Sequence, residues 1–401
     1  MSTWDLGRAE EHLLSLELFG MRFGLERMRR LLTALGSPQE RFRAIHVVGT
    51  NGKSSTVRMT AALLEAHGVR AGAFLSPHLT TFAERIRIAD ADLEPAAFGA
   101  AVERAAAAAA KVDRGLRDGD RVTQFELITA AAFDELARRG VEVAVVEAGL
   151  GGRHDATGVL RAGVVVLTNV GLEHTRWLGP TIPDIAREKL AVVAPGASLV
   201  LGDDQPDVVA LADATGARIV RPEPVDSGLP GFQATNFATA CAAARARLGA
   251  LDPAIVADVA SWITVPGRMQ VVGERPLTIL DGAHNPSGVE ALAAALPDRR
   301  FVGVVSILDD KDAGAMLRAL APSCERLVCT AAPSPRALPP ATLASLAAQL
   351  GVRAEIVPDP RAALARAREL AGPGGAVVAT GSIYLIADLV SEPGTRRASA
   401  L

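Results

Sequence analysis

The chain has little of what would mark a secreted, membrane-bound or nucleic-acid-binding protein. Only three cysteines, Cys241, Cys324 and Cys329, occur in 401 residues. Odd in number and without paired ligand spacing, they support neither a disulfide framework nor a zinc site, so a reducing compartment is expected. No apolar run is long enough to span a bilayer. The first twenty residues carry Asp5, Arg8, Glu10 and Glu11, so no signal peptide is expected and the cytoplasm is the expected location. A formal charge of −3 gives no global attraction to nucleic acid or anionic lipid, and neither is an expected partner. Anionic substrates would need local basic pockets. There is no internal repeat. The pattern G-x-G-x-x-G is missing after the strand where a dinucleotide enzyme would carry it, which argues against NAD.

What is present is a well-buried globular composition, 49% apolar and 22% charged. The length implies about two to three domains. Two are expected, with a linker near Val265-Pro266-Gly267-Arg268 where proline and glycine punctuate the chain. The most informative stretch is Ile45-His46-Val47-Val48-Gly49-Thr50-Asn51-Gly52-Lys53-Ser54-Ser55-Thr56. It reads as a short apolar strand, a glycine-bearing turn with a lysine, and a helix with Met59, Leu63 and Leu64 on one face. That is the grammar of a phosphate loop. Backbone N–H groups at the helix start favour anions, the lysine reaches terminal phosphates, and a following hydroxyl can bind magnesium. Val47 stands where the first glycine of the general Walker pattern would fall.

Helical periodicity runs from Glu10 to Leu35, interrupted near Phe19-Gly20, with a basic face at Arg27, Arg29 and Arg30 that by itself reads as solvated. A strand from Val69 to Leu75 delivers Ser76 into a turn, because Pro77 disfavours helix at the residue before it. Thr123-Gln124-Phe125-Glu126 opens a helix through Arg138. Val143 to Val146 is a continuous apolar strand ending on Glu147, ahead of a glycine-rich turn through Asp155, and this is the place of a Walker B carboxylate. Gly163 to Thr168 leads to Glu173-His174, and a helix from Ile182 to Leu190 carries Lys189. Alone, such a histidine and lysine read as structural and solvated. Beyond the linker, apolar runs at Leu277 to Leu280, Phe301 to Val305, Leu327 to Cys329, Ala354 to Val357 and Ala376 to Ala379 alternate with amphipathic stretches, as in a small Rossmann-like sheet. The tail from Pro393 reads as disordered.

Seven separated motifs occur in one order: Gly49-Thr50-Asn51-Gly52-Lys53, Leu75-Ser76-Pro77-His78, Glu147-Ala148-Gly149-Leu150-Gly151-Gly152-Arg153, Leu172-Glu173-His174-Thr175, Arg187-Glu188-Lys189, Pro266-Gly267-Arg268 and Asp281-Gly282-Ala283-His284-Asn285-Pro286. Together they resemble the folylpolyglutamate synthase and dihydrofolate synthase family of the Mur ligase superfamily, over about Phe23 to Leu389. The resemblance implies an α/β protein with a P-loop-containing, Mur-ligase-like central domain over residues 1–264 and a smaller Rossmann-like C-terminal glutamate ligase domain over residues 265–401. It implies an ATP-dependent ligase that activates the carboxylate of a reduced folate or dihydropteroate as an acyl phosphate. The amine of L-glutamate then attacks to give an amide, ADP and phosphate. A monomer is expected.

The resemblance also implies roles. Gly49, Thr50, Asn51, Gly52, Lys53, Ser54 and Ser55 would hold the triphosphate, and Ser55, Ser76 and Glu147 one magnesium. His174 would bind a second magnesium, and Lys189 matches the lysine that the family carbamylates. Lys53, His174 and Lys189 form the expected catalytic set. Asn236, Arg268 and Asp281 match contacts to ATP. The pterin pocket would involve Phe23 to Arg27, Thr123 to Glu126 with Phe125, and Arg153 to Asp155. His284 and Ser382, after strands of the second domain, are candidates for the incoming glutamate. Three residues depart from the family pattern: Ser54 replaces a glycine, placing a side chain close to the phosphates, His154 stands for a leucine and Gly158 for an asparagine. The alternatives are a Mur-type ligase acting on another carboxylate and a nucleotide-binding regulator without ligase chemistry. The second expects degraded metal and linker positions, whereas Ser76, Glu147, His174, Lys189 and Arg268 are all present.

Overall fold

The computed structural model describes residues 3–16, 24–117 and 120–392. Phe23, the interruption at Phe19-Gly20 and the tail from Pro393 therefore lie outside the described residues. The chain divides into two compact units. The first comprises the residues up to His78, Phe82–Gly228 and Ala234–Ile263; the second comprises Leu79–Thr81, Leu229–Gln233 and the chain from Thr264. The two short excursions into the second unit have no counterpart in a single boundary at residue 264.

The first unit holds strands β1 (Arg43–Val48), β2 (Ala71–Phe74), β3 (Ile86–Ile88), β4 (Ala91–Asp92), β5 (Val143–Glu147), β6 (Val164–Leu167), β7 (Ser198–Leu201) and β8 (Arg218–Val220). They form one sheet in the order β4-β3-β2-β5-β1-β6-β7-β8. Pairing is parallel from β2 through β8, while β2–β3 and β3–β4 are antiparallel. The parallel strands are short runs of Val, Ile, Leu and Ala because helices cover both of their faces. β1 lies between β5 and β6, with Val47 opposite Glu147 and Val48 opposite Leu167. The loops after these three strands therefore emerge side by side, where open α/β sheets place their ligands.

The Gln124–Arg138 helix begins with a capping box. Thr123 Oγ1 accepts from the Glu126 N–H, and the Glu126 carboxylate accepts from the Thr123 N–H at 2.9 Å. Glu126 Oε2 also accepts from Arg27 Nε at 3.1 Å, and Arg27 Nη1 pairs with Asp120 at 3.2 Å. Arg27 is thus buried, not part of a solvated face, whereas Arg29 and Arg30 on the same helix are exposed. Thr123→Ala is expected to destabilise the fold by about 1 kcal/mol, seen as a lower urea midpoint. A raised substrate KM with an unmoved midpoint would assign the hydroxyl to substrate instead.

The second unit contains β9 (Gln270–Glu274), β10 (Leu277–Leu280), β11 (Phe301–Val305), β12 (Cys324–Cys329), β13 (Arg353–Ile356) and β14 (Ala376–Thr380), ordered β13-β12-β11-β14-β10-β9. All pairs are parallel except β9–β10. The period of two is visible in the packing. Phe301, Val305, Leu327 and Val378 join the core on one face, and Val302, Val304, Val328 and Val377 join the core on the other.

Candidate active site

The loop after β1 is shaped by glycines that cannot be replaced cheaply. Gly52 has φ +81°, and a Cβ there would lie 2.4 Å from Asn236 Oδ1; a Cβ on Gly49 would lie 1.8 Å from Thr168 Oγ1. Gly52 caps the Lys53–Ala66 helix in the left-handed region, so the first N–H groups of that helix face the turn. Residues after β6 clamp the loop from the other side. Thr168 Oγ1 donates to the Asn51 carbonyl at 2.7 Å, Asn169 Oδ1 accepts from the Asn51 N–H at 2.9 Å, and Thr50 Oγ1 accepts from the Gly171 N–H at 2.9 Å.

Two lysines converge on one carbonyl of this loop. Lys53 Nζ donates to Gly49 O at 3.1 Å and Thr50 O at 3.0 Å, and Lys189 Nζ donates to Gly49 O at 2.7 Å. Lys189, on the Ile182–Leu190 helix, is 3% exposed. Burial and then the cationic Lys53 lower its amine from the ordinary lysine range to about 7, with Glu173 and Asp155 pulling the other way. Lys189 is therefore no solvated helix lysine.

Glu147, at the end of β5, is 1% exposed. Its Oε1 accepts from Ser54 Oγ at 3.0 Å and its Oε2 from the Ser76 N–H at 3.1 Å. Ser54 thus directs its hydroxyl at Glu147. The hydroxyl-bearing Ser55 is buried in the first turn of the same helix. A carboxylate and serine hydroxyls around a helix N-terminus are hard oxygen donors, which suits magnesium. His174 caps the Thr175–Leu178 helix with φ 52°, its side chain 43% exposed and its Nε2 4.0 Å from Glu173 Oε1. Among the described residues, no three His, Cys, Asp or Glu side chains form a ready metal cluster. The donor set gathered here is instead serines, one glutamate and a lysine.

The glycine-rich turn after β5 packs on the helix carrying Lys189. A Cβ on Gly152 would lie 2.9 Å from both the Glu188 and Lys189 carbonyl oxygens, and Arg153 pairs with Glu188 at 3.0 Å. The Phe125 ring lies over Gly149, where a Cβ would meet Cζ at 2.6 Å. Asp155 is buried and accepts from the Leu150 and Thr157 N–H groups at 2.8 and 3.0 Å; burial raises its carboxyl above the usual range and these bonds oppose that. Arg153 and Asp155 thus share one loop, and the Phe125 ring, from the start of the Gln124–Arg138 helix, packs over that loop at Gly149, whereas Arg27 and Thr123 meet each other through Glu126. Asp155 organises the turn as well as lining it, and Thr157 Oγ1 links it to His46 Nε2 at 2.8 Å.

In the second unit, Asp281 is 2% exposed and accepts from the Met269 and Ala283 N–H groups at 2.9 and 2.8 Å. Burial raises its carboxyl, with Arg268 acting against that shift. The Arg268 guanidinium lies over Gly282, 2.9 Å from where a Cβ would stand. Arg268 and Asp281 are thereby brought together. His284 Nδ1 contacts the Gly282 carbonyl at 2.8 Å, and Ser382 is buried as the N-cap of the Ile383–Val390 helix, accepting from the Tyr384 N–H.

Sequence reasoning passed over Thr168, Asn169 and Gly171, which hold the phosphate loop. The signal was available: small polar residues directly after a buried parallel strand adjacent to β1.

The fold and this loop define a Mur-type amide ligase. Residues 47–221 match the Mur ligase middle domain and residues 267–383 the Mur ligase glutamate ligase domain. The chain belongs to the folylpolyglutamate synthase and dihydrofolate synthase family. It is 36% identical to the dihydrofolate synthase/folylpolyglutamate synthase of Mycobacterium tuberculosis, over 84% of this chain and 81% of that protein. It is 34% identical to a probable bifunctional folylpolyglutamate synthase/dihydropteroate synthase of Haloferax volcanii, over 95% of this chain but 49% of that one, so it spans about half of the archaeal relative. Among solved structures, Mycobacterium tuberculosis folylpolyglutamate synthase complexed with ADP and AMPPCP superposes with TM-score 0.88 at 33% identity, covering 98% of this chain and 99% of that one. The bifunctional Yersinia pestis enzyme complexed with AMPPNP and a manganese ion gives TM-score 0.85 at 29% identity, covering 96% and 97%.

Proposed function

We propose that the chain joins L-glutamate to the carboxylate of a reduced folate, and also of dihydropteroate, at the expense of ATP. The observation that carries this reading is the convergence of Lys53, Glu147 and Lys189 on the glycine loop between β1 and the Lys53–Ala66 helix. A carboxylate oxygen of the folate attacks the γ-phosphorus and ADP leaves; the glutamate amine then attacks the acyl carbon and phosphate leaves. Loop N–H groups and Lys53 hold the phosphates in line and neutralise charge as it moves. Magnesium, when bound, adds Lewis-acid neutralisation at the phosphate oxygens. Ser55, Ser76 and Glu147 would hold one ion. His174 would hold the second together with Lys189, provided that Lys189 carries a carbamate, because an amine alone offers magnesium no oxygen. The nucleotide and manganese in the Yersinia pestis structure support the ATP and divalent-metal part of this reading.

The turn bearing Arg153 and Asp155, with the Phe125 ring packed on it, is proposed to receive the pterin together with Arg27 and Thr123. Asn236, Arg268 and Asp281 are proposed to serve ATP, and His284 and Ser382 the incoming glutamate. Arg268→Ala is expected to lower turnover roughly 100-fold while ATP binding changes little, because its charge acts as phosphoryl charge redistributes. ATP affinity that collapses with turnover at saturation intact would remove that role. A monomer is proposed, and the free, buried Cys241, Cys324 and Cys329 suit a reducing cytoplasm. Among the described residues, no helix is long and apolar enough to cross a membrane.

The test of function is ADP release measured with ATP, magnesium and glutamate, supplying tetrahydrofolate and dihydropteroate separately. Release that requires neither pterin, or that requires another carboxylate, would favour a different Mur-type ligase.

A further inference from the structure

We propose that Ser54 is a positioning residue for Glu147, its hydroxyl presetting the carboxylate for the divalent cation that accompanies ATP. This rests on the reading of Glu147 as a metal-binding carboxylate. Glycine is usual at this position in the family pattern, and glycine has no group to donate. Here the Ser54 hydroxyl donates to Oε1 at 3.0 Å while the Ser76 N–H donates to Oε2 at 3.1 Å.

The two donors come from different elements, the helix after β1 and the turn after β2, and each takes one oxygen. A carboxylate gripped at both oxygens cannot rotate about its terminal torsion without breaking a bond. Glu147 is 1% exposed, so water does not compete for that grip. A carboxylate oxygen has two lone pairs, so a hydrogen bond accepted on one of them is compatible with cation binding on the other. The Ser54 hydroxyl donates its one proton to Glu147, so in this arrangement it acts on the carboxylate. Partners that orient a ligand in this way alter metal affinity when removed, typically by about 10–100-fold.

The test uses the full chain with ADP. Free Mn2+ is followed by its EPR signal, and the magnesium concentration for half-maximal turnover is measured alongside. Ser54→Ala and Ser54→Gly are expected to weaken Mn2+ binding about 10-fold and to raise the half-saturating magnesium by a similar factor, while Ser54→Thr, which keeps a hydroxyl, stays within about 2-fold of the parent. The glycine variant, matching the family pattern, guards against misfolding of the others. Mn2+ bound by Ser54→Ala as tightly as by the parent, or Ser54→Thr impaired as much as Ser54→Ala, overturns the positioning role. Glu147→Gln separates this from the reading beneath it. If that variant keeps parental Mn2+ affinity, Glu147 is no metal ligand and both ideas fall. If it loses Mn2+ while Ser54→Ala does not, only the positioning role falls.

Discussion

Replacing Lys53 with alanine is expected to reduce ligase turnover by about 10³-fold while leaving the fold intact. The side chain starts the helix after β1, is only partly buried, and bonds to the Gly49 and Thr50 carbonyls. Its removal takes a point charge from the phosphates and opens no core cavity. A second readout follows from its neighbour. Lys53 is one of the causes that hold the Lys189 amine near 7, so the alanine variant should show Lys189 titrating at a higher pH. Turnover within a few-fold of the parent would end the assignment of Lys53 to the phosphates.

Lys189→Ala should lose activity to a similar degree, about 10²–10³-fold, with partial rescue by a small carboxylic acid. The proposal is that the neutral amine adds its lone pair to the carbon of carbon dioxide and releases one proton, giving a carbamate whose oxygens suit magnesium. The structure supplies a reason independent of metal. Buried and sharing the Gly49 carbonyl with Lys53, Lys189 disfavours its ammonium form, and its amine titrates near 7. Below that pH the ammonium cannot react; above it the nucleophile is present. Carbamate occupancy at fixed dissolved carbon dioxide should therefore rise as pH passes upward through about 7, followed by carbon-13 NMR in labelled bicarbonate. The same lowered value makes the unfolded chain hold more protons between about 7 and the ordinary 10.5, so fold stability from this group increases with pH across that window. Lys189→Met, which fills the site without an amine, distinguishes lost chemistry from lost packing. A fully active Lys189→Ala chain, or no labelled carbamate above neutral pH, would refute the proposal.

The parallel strands and the phosphate loop were legible because buried parallel strands write themselves as uninterrupted Val, Ile and Ala runs, and because glycine at 49 and 52 answers a steric demand visible in the spacing. The antiparallel elements were not. Ile86-Arg87-Ile88 and Ala91-Asp92 are too short and too charged to stand out, and β9 exposes Val271 and Val272 at a sheet edge where periodicity means little. Arg27 looked solvated because its partners, Asp120 and Glu126, lie over ninety residues away, and no local pattern announces a buried ion pair of that separation. Ser54 shows the same limit at the site. Its identity marked a departure from the family pattern, but only the sheet, by setting Glu147 beside β1, shows which way its hydroxyl turns.

The close seat of Gly152 on the Glu188 and Lys189 carbonyls means that the turn proposed to receive the pterin is not a portable cassette. A laboratory effort to widen its acceptance by grafting a bulkier loop would press the first added methyl into two carbonyl oxygens at 2.9 Å. The helix that carries Lys189 would have to give way. Any successful graft would need compensating changes in the Ile182–Leu190 helix, and libraries that randomise residues 149–155 alone should return glycine at position 152 in nearly every active clone.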